Sequence, residues 1–164
     1  LDIKGLVGKK RNTPDFAKEA FSEVVGLLSD IQGLEDVSKV VEEVRSKVRD
    51  YYRKLQRKEI PLNKLAIRTA LTKPLESYTK NTPQHVKAAL QLKNLGYNVR
   101  SGDIIIYVKT TGKDGVKPIQ LARIDEIDPT KYIEYLRTSL EQVLDAFGIE
   151  FEGVMGSSII DDYS

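Results

Sequence analysis

Residues Leu71 to Val108, LTKPLESYTKNTPQHVKAALQLKNLGYNVRSGDIIIYV, contain a lysine-bearing turn, one helix and one apolar strand, in an order in which each element prepares the next. Pro74 closes the first segment, because the residue before a proline is driven out of the helical region. Thr82 reads as a helix N-cap with Pro83 at the first helical position, where a missing N–H costs nothing. Val86, Ala89 and Leu90, with Leu95 at the end, form the expected buried stripe, and Gly96 stands where a left-handed C-terminal cap is wanted. Ile104 to Val108 then predict a strand.

Upstream, Ile3, Leu6 and Val7 suggest a short strand loosened by Gly5 and Gly8 and followed by Lys9, Lys10 and Arg11. Thr13 with Pro14 opens a predicted helix whose apolar positions run from Phe16 to Ile31, ended by Gly33. A second helix begins near Leu34 to Asp36, carries Val37, Val40, Val41, Val44, Val48, Tyr51, Tyr52 and Leu55 on its inner face, and stops before Pro61. The two should form an antiparallel pair, and the valine stripe is too short for a coiled coil. Residues 60–71 are open between a helical and an extended reading. Downstream, Asp114-Gly115 marks a hairpin whose return strand, 116–121, is placed at an edge by Pro118. Asp128 and Pro129 start a last helix with Tyr132, Leu136, Leu140, Val143 and Leu144, stopped by Gly148. The expected class is α+β: helices packed around a small antiparallel sheet or hairpin.

A chain of 164 residues that is 40% hydrophobic can bury the core of one ordinary domain. No apolar run approaches the ~20 residues that span a bilayer and no signal peptide opens the chain, so the expected setting is intracellular, with no membrane contact. Cysteine is absent and histidine occurs once, which excludes disulfides and zinc sites built from those ligands. A 30% charged composition is a hint of a thermophilic source. The start at Leu1 suggests a fragment, a processed product or a trimmed chain.

The net charge of +2 hides a segregation. Residues 45–58 carry seven cations against Asp50, and residues 64–100 carry seven against Glu76, whereas residues 123–164 carry ten acids against three cations. One face suited to a polyanion is one explanation, and solvated helix surfaces are the other.

Leu71-Thr72-Lys73-Pro74-Leu75, Tyr78, Pro83, His85-Val86, Ala88, Gly96, Gly102-Asp103 and Ile106-Tyr107-Val108 together resemble the thumb region of family B DNA polymerases, most closely the archaeal ones. Lys4-Gly5-Leu6 and Lys10-Arg11-Asn12 resemble the family's passage from the last palm strand into the thumb, with Asn12 departing from the usual acid. The resemblance covers residues 1–149. It implies a palm edge and junction at 1–12, a mostly helical thumb at 13–149 and a C-terminal tail at 150–164. It further implies a grip on primer–template duplex through backbone contacts during DNA replication, by a nucleotidyltransferase whose palm holds magnesium. The candidate contacts are Lys9, Lys10 and Arg11, then Thr72 and Lys73, then Lys80, His85 and Lys87 around the helix, and Arg100 before the strand. Cations there would neutralise phosphates without reading sequence.

Two-metal nucleotidyl transfer needs paired carboxylates, and the family's palm motifs that supply them are not in this sequence. Asp125, Glu126 and Asp128 fit a loop leading to a helix cap better than a metal site. His85 reads first as a hydrogen-bonding side chain, and no nucleophile elbow or phosphate-binding loop occurs. The chain alone is therefore expected to be inactive and to hold no cofactor. The alternatives are a free-standing nucleic-acid-binding module, such as the small piece of a split polymerase, and a non-enzymatic protein-interaction domain using the acidic final helix and tail. In the tail, Ser157, Ile160 and Tyr163 keep the spacing of the segment by which such polymerases dock on a sliding clamp. Ser157 and Ser164 depart from that pattern, and a plain disordered tail is the other reading; on either, residues 153–164 have too few large apolar residues to be core.

Overall fold

The structure, a computed structural model, describes residues 12–155. Helices α1 (Asp15–Leu28) and α2 (Leu34–Gln56) form the expected antiparallel pair. Phe16, Ala17, Ala20, Val24 and Leu28 lie along one face of α1, and Val40, Val44, Val48 and Leu55 along one face of α2, the spacing that a 3.6-residue turn requires. Two boundary expectations fail. Thr13 does not cap α1: Pro14 occupies the cap, and its carbonyl accepts from the Ala17 N–H at 3.0 Å. Gly33 does not end α1, which stops at Leu28 with the Ser29 hydroxyl donating to the Val25 carbonyl at 2.8 Å. Gly33 is instead the residue that precedes α2.

A four-residue helix, α3 (Leu62–Leu65), and strand β1 (Ile67–Ala70) occupy the segment that was open between helix and strand. Strands β2 (Ile104–Lys109) and β3 (Val116–Pro118) complete an antiparallel sheet in the order β1-β2-β3, with Ile67 opposite Tyr107, Ala70 opposite Ile104 and Tyr107 opposite Pro118. Pro118 sits on an edge strand, where its missing N–H breaks no ladder. β3 is shorter than expected because the Pro118 carbonyl accepts from the Leu121 and Ala122 N–H groups and turns the chain.

The sheet is a middle layer. Alternation along β2 sends Val108 into the core formed by α1, α2 and α5 (Pro129–Ala146), and Ile105 and Tyr107 into a second core under α4 (Gln84–Asn94). The cap of α4 differs from expectation. Pro83 is the N-cap and no side chain caps it, so the Thr82 hydroxyl has no part in starting the helix. Its buried face also differs: Val86, Ala88, Ala89 and Leu92 are covered, while Leu90 and Leu95 are 37% and 61% exposed. The two alanines let α4 lie close on the sheet, so the contact is centred on them. Gly96 does adopt a left-handed conformation, at φ +93°, where a side chain is disfavoured.

At the C-terminal end, Asp128 accepts from the Thr130 N–H at 3.1 Å and caps α5 as expected. Beyond it, Ile149, Phe151, Val154 and Met155 join the helical core, with residues 151–155 helical. The expectation that residues 153–155 contribute nothing to the core is therefore corrected. Lone apolar residues gave no period in the sequence, but they cover the exposed side of a three-helix packing.

Candidate nucleic-acid interface

The turn that carries Thr72 and Lys73 is held from both sides. The Leu71 N–H donates to the Asp103 carbonyl at 2.8 Å and the Gly102 N–H to the Leu71 carbonyl at 2.7 Å, continuing the pairing of β1 with β2. Leu71 and Leu75 are buried in the α4 core, so Thr72 and Lys73 project into solvent between two anchors. A single 3₁₀ turn at Leu75–Ser77 then brings Tyr78 back over them. The Lys73 ammonium lies 4.6 Å from the centroid of the Tyr78 ring, and the Thr72 and Tyr78 hydroxyl oxygens are 3.4 Å apart. His85, in the first turn of α4, meets the same ring edge to face, with centroids 6.2 Å apart and planes at 89°. Burial holds its imidazole below the usual histidine pKa.

Arg100 is fixed next to this turn. Its N–H donates to the Asp103 carboxylate at 2.8 Å, and its guanidinium Nε and Nη2 lie 3.2 and 2.9 Å from the Asn98 side-chain amide, whose oxygen accepts from both when the amide is assigned by its hydrogen bonding. Lys80 is exposed and Lys87 half-buried on α4. Lys9, Lys10 and Arg11, and the tail residues Ile160 and Tyr163, lie outside the described residues.

The two basic runs behave differently. In the first run the cations are largely occupied: on α2 Arg45 pairs with Glu42, Lys47 with Glu23 at 3.4 Å and Lys54 with Asp50 at 3.1 Å, and just past the helix Lys58 donates to the Asp125 carbonyl at 2.6 Å. In the second run Lys64 pairs with Glu19. Arg68, Lys73, Lys80, Lys87, Lys93 and Arg100 have no carboxylate partner among the described residues. Unneutralised cations attract an anionic polymer; ion-paired ones contribute little to that field. The sequence-level pattern missed two members of this surface, Tyr78 as a site residue and Asn98. An aromatic five residues after a lysine, across a proline turn, is the only signal for the first.

The acidic triplet is used structurally. The Lys117 ammonium hydrogen-bonded to Glu126 holds that carboxyl below the usual range, with the Arg123 N–H also donating to it at 3.0 Å. Asp125 lies 3.4 Å from Arg123, and Asp128 caps α5. Among the described residues there is no group of three or more acidic, histidine or cysteine side chains placed to hold a metal ion. None of the described helices is long and apolar enough to cross a membrane.

Residues 1–145 match the sequence model described as DNA polymerase family B. The chain is 50% identical over 162 residues to DNA polymerase 1 of Sulfolobus acidocaldarius and 46% identical over 159 residues to DNA polymerase 1 of Aeropyrum pernix. These alignments take in 99% and 97% of this chain, which spans only 18% and 17% of those relatives. Its fold is similar to the structure of the family B DNA polymerase from the hyperthermophilic archaeon Pyrobaculum calidifontis, with a TM-score of 0.66 and 29% identity over 79% of this chain and 17% of that one.

Proposed function

The chain belongs to DNA polymerase family B, in its archaeal type, and we propose that within such an enzyme it forms the thumb, which grips primer–template duplex behind the reacting end. The observation that carries this reading is the set of cations that have no carboxylate partner among the described residues, along β1, the 72–80 turn, α4 and the loop before β2. Lys73, Lys80, Lys87 and Arg100 would meet phosphates, and Thr72 and His85 would add hydrogen bonds. Phosphate contacts of this kind carry no sequence information, as a replicating enzyme needs, since it accepts every sequence it copies. Nucleotidyl transfer and its magnesium would belong to the palm of the complete polymerase. This chain would supply position, holding the primer end where the reaction takes place.

Fluorescence anisotropy of labelled primer–template with the 164-residue chain, over a series of salt concentrations, tests the reading. Weak binding that is indifferent to duplex sequence and weakens steeply with salt is expected. Affinity that is flat in salt, or that depends on sequence, would overturn the grip and leave a protein-interaction role as the reading to pursue.

A further inference from the structure

Tyr78 is surrounded by three groups suited to one anion. The Lys73 ammonium rests on its face at 4.6 Å, a contact that holds the cation in place without neutralising it. The Thr72 hydroxyl is at its phenolic oxygen, 3.4 Å away, and the His85 ring stands against it edge to face. Among the described residues His85 has no acidic partner: burial lowers its pKa and no charged side chain contributes. The charged residues on the neighbouring elements are Glu76 in the 3₁₀ turn, Lys73 and Lys80 on either side of it, and Lys87 and Lys93 on α4, so the balance around the imidazole is cationic.

We propose that Tyr78 is the positioning residue of a phosphodiester site, in which it orders the Lys73 ammonium, the Thr72 hydroxyl and the His85 imidazole around a single backbone phosphate. The proposal rests on the duplex-binding reading and adds a consequence to it. A phosphate placed against His85 favours the charged imidazolium, so between the free and bound pKa values duplex binding is accompanied by partial proton uptake from solvent onto a ring nitrogen. By reciprocity, lower pH tightens binding by the same factor.

The single histidine makes this directly measurable, because one imidazole resonance reports the whole titration. Proton NMR of the 164-residue chain, titrated in pH with and without a primer–template duplex, should show the His85 pKa rising by about one unit on binding, a tenfold coupling. Tyr78→Phe keeps the ring and should keep most of that rise. Tyr78→Leu should abolish it, and in the Leu background Lys73→Ala should cost far less affinity than in the parent. A duplex that binds while the His85 pKa stays fixed overturns the phosphate site and leaves the thumb reading standing; so does a rise of equal size in Tyr78→Leu. If no duplex binds at any salt concentration, both fall together. The parent titration needs no variant, so the proposal can be overturned even where Tyr78→Leu fails to fold.

Discussion

The phenolic O–H of Tyr132 donates to the backbone carbonyl of Leu65 at 2.9 Å, pinning α5 to the point where the chain enters β1. The same oxygen accepts from the Lys109 N–H at 2.9 Å, at the far end of β2. The side chain is fully buried, its ring lies edge-on to Phe16 of α1 with centroids 5.9 Å apart, and burial pushes its pKa well above the ordinary tyrosine value. One hydroxyl thus ties the helical bundle to the sheet that carries the candidate interface. Tyr132→Phe would leave the buried Leu65 carbonyl and the half-buried Lys109 N–H without this partner, and should cost about 1–3 kcal/mol. Urea unfolding at neutral pH measures it; a loss below about 0.5 kcal/mol would mean that water replaces the hydroxyl.

Helix α4 offers a paired test of its two ends. Gly96 is at φ +93° with open space where a Cβ would be, so Gly96→Val meets only conformational cost, at least about 1–2 kcal/mol for a branched residue in that region. Thr82 makes no cap, so Thr82→Ala should change stability by less than about 0.5 kcal/mol. Thermal melts of the two variants should separate clearly. Equal losses would place the helix start at Thr82 after all.

These contrasts indicate which features could be read from the residues alone. Gly96, Asp128-Pro129 and Asp114-Gly115 were legible because a turn or cap is settled by a few neighbouring atoms. The α+β layout followed from periodicity for the same reason. Leu90 and Leu95 were misjudged because which arc of α4 is covered depends on how closely Ala88 and Ala89 let it approach the sheet, which is a tertiary fact. Val154 and Met155 were missed because two apolar residues in a polar stretch show no period, yet they close the bundle. At the candidate interface, Lys73 and His85 could be named because they stand in the stretch that resembles the family's thumb. Tyr78 could not, because an aromatic ring beneath a cation is a contact between side chains across a turn and leaves no repeat in the sequence.

His85 makes stability depend on pH in a definite direction. Burial lowers its pKa in the folded chain below the ordinary value of 6.5, so between the two values the unfolded chain binds more protons. Its contribution is fully present above pH 6.5 and is lost as pH falls from there through the lowered value. Denaturant titrations from about pH 8 down to about pH 5 should show stability declining across that interval, and His85→Gln should flatten this part of the profile. A parent curve that rises as pH falls would contradict the burial of the imidazole.

The two basic runs predict different salt behaviour. Lys47 and Lys54 on α2 are paired with Glu23 and Asp50, whereas Lys73, Lys80 and Lys87 have no carboxylate partner among the described residues. Removing a side chain that neutralises one phosphate should reduce the slope of log affinity against log salt by about 0.9. Replacing Lys73, Lys80 and Lys87 singly by Ala should therefore lower both duplex affinity and that slope, with Lys73 showing the full step because Tyr78 holds its ammonium in place. Lys47→Ala and Lys54→Ala should leave the slope unchanged. Binding isotherms over a range of salt concentrations resolve steps of this size. Should the α2 variants reduce the slope as much as the others, the duplex would lie across the helical bundle, and the ion pairs there would be opened on binding.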